Sequence, residues 1–327
     1  MSKNYRGRRR KHPSLTLTLL VLAALAAGAV FFLRRPVSPL SPPSSTVRPL
    51  PDERADPPLS GGRVATASGV PCSRRELGEE ALYTGELILV NNEVLYRFPQ
   101  EQKLVSIYEE KSEGYYVRDM EVFLSPVAME ALNDLLDAFR AQGGSKSINV
   151  VAGYRDRDYQ QRLFDQSAQR NGQDHAEKYV AQPGGSEHHT GLVVDFSILN
   201  ANGSSGDYNG SGEYAWINEN CQDYGWVVRY QEGKEALTGI WDEPWHFRYV
   251  GVPHATEMAR RGLCLEEYID LLRQYPYDGE HLTIECAAGT YEAWYCPGSA
   301  AYVPDSGEWS VSGNNVDGLV VTCKVSA

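Results

Sequence analysis

Three short stretches of this chain concentrate residues able to do chemistry. They are Ser186-Glu187-His188-His189, Asp195 inside the apolar run LVVDFSI, and Glu243-Pro244-Trp245-His246. A catalytic zinc takes three protein ligands of the N or O type and keeps one position open for water. His188, Asp195 and His246 could supply that set. Glu243, three residues before His246, could then take the water's proton and pass it to the leaving group. Asp195 is informative by itself, because a charge in a buried strand needs a partner and a metal is one of the few good ones.

Residue types alone leave other readings open. His188 could be a surface loop histidine, Asp195 a salt-bridged strand-end residue, and His246 a satisfied core histidine among aromatic neighbours. If residues 187–191 are extended, His188 and His189 point opposite ways, so only one of them binds metal. His189 and His254 are the replacements should His246 not be the third ligand. The chain has no H-E-x-x-H, which excludes a helical zincin site, and no G-x-S-x-G to place a serine nucleophile.

The elements that must position these residues are visible in the pattern. Val127, Ala128, Met129, Leu132, Leu135, Leu136 and Phe139 recur at helical spacing after Ser125-Pro126, and Gly143-Gly144 closes that helix. SINVVAGY (147–154) reads as a strand leading into a turn, YQQRLFDQSAQR (159–170) as an amphipathic helix, and GLVVDFSI as a strand. WHFRYVGV alternates, with His246, Arg248 and Val250 on one face and Trp245, Phe247 and Tyr249 on the other. ELILVNNEVLYRF (86–98) is a β-prone run with an Asn-Asn turn, residues 200–213 are an exposed turn, and LCLEEYIDLLRQY (263–275) is a closing helix.

The flanks set the context. Residues 15–33 run nineteen positions without a charge, about the length that crosses a bilayer as a helix. The preceding Lys3, Arg6, Arg8, Arg9, Arg10 and Lys11 predict a cytoplasmic tail (1–14) and an extracytoplasmic remainder. A cleaved signal peptide, with Ala27-Gly28-Ala29 as its site, is the alternative, but the apolar run continues past it. Residues 34–67, dense in proline, read as a linker. The main domain then spans 68–278, and 279–327 form a small β appendage holding half of the six cysteines. In an exported chain those cysteines predict up to three disulfides. The net charge of -12 gives no support to nucleic-acid binding.

VAGYRDRDYQQRLF, PGGSEHHTGLVVDF and DEPWHFRYVG resemble the motifs of the VanY-type D-alanyl-D-alanine carboxypeptidases, zinc peptidases grouped with D,D-dipeptidases and L,D-carboxypeptidases. The likeness covers roughly residues 85–270. It implies an α+β fold, a small antiparallel sheet with helices packed around a zinc site. It implies one zinc on His188, Asp195 and His246, with Glu243 as catalytic base. Arg155 would contact substrate near the scissile bond, with Tyr154 and Gln160 of the same motif beside it, and Ser186 would hold the terminal carboxylate. A guanidinium suits that task, being always charged and rigidly forked. Val193 and Ala152 depart from the commoner alanine and serine, and neither removes a ligand.

The implied reaction is removal of the C-terminal D-Ala from peptidoglycan stem peptides ending in D-Ala-D-Ala. An L,D-carboxypeptidase acting on the tetrapeptide would use the same metal and base, and a D,D-dipeptidase is a further variant. From another class, a non-catalytic wall-binding module could retain the fold. Residues 279–327 lie outside the likeness.

Overall fold

The computed structural model describes residues 64–326. The expected cytoplasmic tail, the apolar segment 15–33 and nearly all of the linker lie outside the described residues. Among the described residues no helix is long and apolar enough to cross a membrane.

The chain enters through strand β1 (Cys72–Glu76) and then builds a central sheet from β2 (Tyr116–Val117), β3 (Ile148–Ala152), β4 (Val193–Leu199), the short β5 (Ser205–Asp207), β6 (Trp226–Tyr230) and β7 (Glu243–Tyr249). In space the order is β2-β3-β4-β7-β6, with β5 paired to β4. All of these pairings are antiparallel except β2 with β3. Three helices matter most for the site's surroundings. They are α1 (Pro126–Ala141), which begins with proline at its first turn, α2 (Arg157–Asn171) and α3 (Gln173–Tyr179). Helices α4 (Val252–Arg261) and α5 (Leu265–Leu272) follow the sheet.

The apolar stripe of α1 packs Leu132, Leu136 and Phe139 into one core with Val150, Val194, Phe196 and Phe247 from the sheet. Alternation along β4 and β7 therefore sends Val194, Phe196 and Phe247 to that core and leaves Asp195, His246 and Arg248 on the opposite face. The alternation expected for WHFRYVGV holds from His246 to Tyr249, where both faces are buried, while Trp245 ahead of them is exposed.

Residues after 280 supply the strands β8 (Leu282–Cys286), β9 (Gly289–Pro297), β10 (Ala300–Pro304), β11 (Trp309–Gly313) and β12 (Gly318–Ser326), and all but β10 form a second antiparallel sheet. Its order is β8-β9-β12-β11, while β10 pairs with the N-terminal β1. The sheet is continuous in packing with the rest. Ile284, Ala293 and Val320 share a core with Leu87, Val250, Met258 and Tyr268.

Two expectations fail here. The six cysteines form no disulfide; each is a free thiol. Cys72, Cys296 and Cys323 nevertheless pack in one buried cluster, and Cys286 ends β8. Cys221 and Cys264 are buried elsewhere, in the α1 core and at the start of α5. The β-prone run 86–98 is not a strand. Its backbone is satisfied mainly by side chains, since Arg248 donates to Glu86 O and Ile88 O, and Asn315 Nδ2 donates to Leu89 O and Leu95 O. The Asn-Asn turn is present, with Asn91 Oδ1 accepting from Glu93 N and Val94 N.

Candidate active site

Asp195 and His246 are registered partners on adjacent strands, and Ala152 opposes Asp195 from the other side. The turn Glu187–Thr190 brings His188 to them, and Gly191, at φ 70°, turns the chain out of it into β4. His188 Nε2 lies 3.2 Å from Asp195 Oδ2, and His246 Nδ1 lies 3.1 Å from Asp195 Oδ1. One donor atom from each residue falls within 4.8 Å of the others. The structure thus brings together all three residues singled out from the sequence.

The fit to a divalent metal can be tested on the donors. His188 Nδ1 is 2.6 Å from the Gly153 carbonyl, which fixes the Nδ1–H tautomer and leaves the Nε2 lone pair facing Asp195. Asp195 Oδ1 is buried and makes no hydrogen bond, despite its closeness to His246 Nδ1. Lone pairs converging on a common point, instead of a donor meeting an acceptor, are what a ligand set requires. Two histidine nitrogens and a carboxylate oxygen suit zinc. Burial works against protonating His246, but Asp195, Glu187 and Glu243 outweigh it and raise its pKa to about 9. That accumulation of negative charge is what a bound cation would neutralise. His188, by contrast, is pushed down to about 4 by burial and by Arg155.

His189 is not part of the set. Its Nδ1 donates to Arg155 O and its Nε2 accepts from Gly184 N, so it fastens the loop that carries Arg155. His254 is remote as well, held between Tyr268 and Thr322.

Glu243 opens β7, and its Oε2 lies 3.5 Å from His246 Nδ1. Burial, with Asp195 adding to it, raises its pKa to about 7, against the opposing pull of His246 and Arg155. A carboxyl poised there can both accept and return a proton near neutrality. Arg155 sits just ahead of α2, whose first turn is capped by Asp156 accepting from Tyr159 N at 2.6 Å. Its Nη2 donates to Asp195 Oδ2 at 2.8 Å.

The donors open into a cavity of about 320 Å³ that also takes in Arg155, Gln160, Ser186, Glu243 and Tyr230. A second cavity of about 550 Å³, lined by Arg118, Glu121, Tyr154, Tyr159 and Arg162, adjoins it through Arg155 and Asp195. Tyr154 therefore faces the larger space, and Ser186 and Gln160 the smaller. Gln160 is fastened by its Nε2 to Ala181 O, with Oε1 buried and unpartnered.

Residues 121–252 match the family model described as VanY, D-alanyl-D-alanine carboxypeptidase. The chain is 31% identical over 258 residues to a D-alanyl-D-alanine carboxypeptidase of Enterococcus faecium, covering 76% of this chain and 78% of that one. The chain belongs to the VanY family of D-alanyl-D-alanine carboxypeptidases. A second family relative, the D-alanyl-D-alanine carboxypeptidase of Enterococcus faecalis, is 34% identical over 233 residues, covering 65% of this chain and 79% of its own. Among solved structures, the vancomycin-resistance D,D-dipeptidase VanXYg in complex with a D-Ala-D-Ala phosphinate analogue superposes with a TM-score of 0.69. It is 33% identical, covering 77% of this chain and 98% of that one.

Sequence reasoning missed several side chains of this VanY-family site. Tyr230 is buried with its ring 4.7 Å from that of His246, and nothing in the run GWVVRY announces it. Trp245 is exposed at the rim of the smaller cavity, with Tyr179 of α3 also lining it. Glu187 lies inside the quoted motif, yet its burial against Arg229 and Arg248 became evident only in three dimensions.

Proposed function

We propose that this chain is a zinc-dependent D,D-carboxypeptidase that removes the terminal D-Ala from peptidoglycan stem peptides. The observation that carries the reading is the convergence of His188, Asp195 and His246 beside a buried Glu243, in a chain of the VanY family. Zinc on those three residues would supply Lewis acidity and an acidified water.

The chain's own residues account for the remainder. Glu243 takes the proton of the attacking water and returns it to the departing amine. Arg155, oriented by Asp195, presents a fixed positive charge where the two cavities meet and offsets charge developing on the scissile carbonyl oxygen. Ser186 caps the smaller cavity as a donor to the free carboxylate, and the buried Gln160 Oε1 offers an acceptor to a peptide N–H. The same reading places the domain outside the cytoplasm, held by residues 15–33 as a retained anchor. Its support is the apolar run and the basic cluster before it.

The deciding assay is mass spectrometry of a stem pentapeptide and a tetrapeptide after incubation with the purified zinc-loaded protein, with and without a chelator. Loss of a single D-Ala from the pentapeptide, abolished by chelation, is expected. Preferential cleavage of the tetrapeptide would make it an L,D-enzyme, and release of an intact dipeptide a dipeptidase. No cleavage of either would overturn the enzymatic reading.

A further inference from the structure

Each of the proposed zinc ligands has a second partner behind it, and the one behind His246 is a carboxylate. His188 is backed by the Gly153 carbonyl and Asp195 by Arg155. His246 turns its Nδ1 toward Asp195 and Glu243, and its Nε2 toward Glu187 Oε2 at 3.8 Å. That distance is an electrostatic contact, longer than a hydrogen bond. Both atoms are buried and have no other polar partner.

The carboxylate that faces His246 is fixed from several sides. Glu187 Oε1 accepts from Arg229 Nε at 2.9 Å and from Arg248 Nη1 at 2.8 Å. Arg229 is held in turn by both oxygens of Glu266, at 2.9 and 2.7 Å, and Arg248 by the carbonyls of Glu86, Ile88 and Tyr249. The side chains of Glu187, Arg229 and Arg248 are fully buried. Apolar residues of similar volume commonly serve stability as well as such a cluster or better. Stability alone therefore does not explain an ionised carboxylate here, whereas its contact outside the cluster, with His246, does.

We infer that Glu187 is a positioning residue that holds His246 as the Nε2–H tautomer and so presents the Nδ1 lone pair to the metal. A carboxylate behind a ligating imidazole fixes the ring and raises its basicity. Arg229 and Arg248 aim that carboxylate. The inference rests on His246 being a zinc ligand, as proposed above.

The test compares Glu187→Gln with Glu266→Gln, in the full chain. Both remove one negative charge from the same cluster, but only the first touches His246. Zinc affinity is measured by competition with a chromophoric chelator, and melting temperature is followed alongside. Glu187→Gln should lose about 10–100-fold in zinc affinity, while Glu266→Gln keeps the wild-type affinity although its melting temperature also falls. Equal losses in the two variants, or wild-type affinity in Glu187→Gln, would overturn the inference. Should Glu187→Gln not fold, Glu187→Asp decides: it keeps the charge but draws the carboxylate back from His246, and unaltered zinc affinity there is equally fatal. Wild type and His246→Ala serve as the gauge for the underlying reading. If wild type takes up no zinc, or His246→Ala takes it up fully, the ligand assignment fails first and visibly.

Discussion

Acidification should remove about 3 kcal/mol of stability through one buried histidine far from the metal donors, and a single substitution isolates the effect. His254, on α4, is buried with Nδ1 2.8 Å from the Tyr268 hydroxyl and Nε2 2.9 Å from Thr322 Oγ1. It thereby joins α4, α5 and β12. Burial pushes its pKa from an ordinary 6.5 down to about 4. Both neighbours are hydroxyls able to accept from either nitrogen, so the resistance to protonation comes from desolvation and not from a missing acceptor. An unfolded histidine takes its proton as the pH falls through about 6.5, while the folded one stays neutral until about 4. Between those values the unfolded state binds more protons, so stability falls as pH falls across the window and levels off below it. At about 1.36 kcal/mol per pH unit, the full window amounts to about 3 kcal/mol. Carboxylates titrate in the same range, so the informative quantity is the difference between wild type and His254→Asn. The assay is urea unfolding at several pH values from about 7.5 to about 4.5, with the unfolding free energy extrapolated to water. The advantage of wild type over the variant should shrink by most of that 3 kcal/mol. An advantage that stays constant across the range would refute the reasoning.

Two further outcomes follow from the structure. Glu243→Gln should retain zinc and fold but lose about 10²–10⁴-fold in kcat, because volume is preserved and only proton transfer is removed; wild-type turnover would reject Glu243 as the base. Trp294, fully buried, stacks on His281 and donates from Nε1 to Tyr302 O at 3.0 Å. Its replacement by alanine should cost about 3–5 kcal/mol in a single unfolding transition, and two separate transitions would show that the sheet after residue 280 folds independently.

What the sequence made legible was local. Asp195 could be singled out because a charge in an apolar run demands a partner, and His246 because its strand alternates; that the two share a face comes from the register of β4 with β7. The residues 86–98 could not be read, since their backbone is satisfied by Arg248 and Asn315, more than 150 positions away. Periodicity carries no information about such distant acceptor–donor matches. Glu187 was hidden for a related reason. A glutamate beside two histidines looks like a solvated turn residue until β6 and β7 bring Arg229 and Arg248 against it. The cysteines could not be paired from the sequence, because an even count in an exported chain speaks of compartment, whereas which thiols meet is set by the fold, which gathers Cys72, Cys296 and Cys323 into one buried cluster.

The pairing of β1 with β10 has a mechanical consequence. A pull on the chain ahead of Val64 meets the Ala65–Pro71 bridge first, then the Ala67 N–H held by both oxygens of Glu292, then the five registered pairs of the β1–β10 ladder. None of these attachments belongs to the sheet that carries Asp195 and His246. Tension entering from the N-terminal side is thus taken up in the C-terminal half of the molecule, and those attachments act as a strain relief. The metal donors keep their spacing of 3.1 and 3.2 Å until that relief has given way.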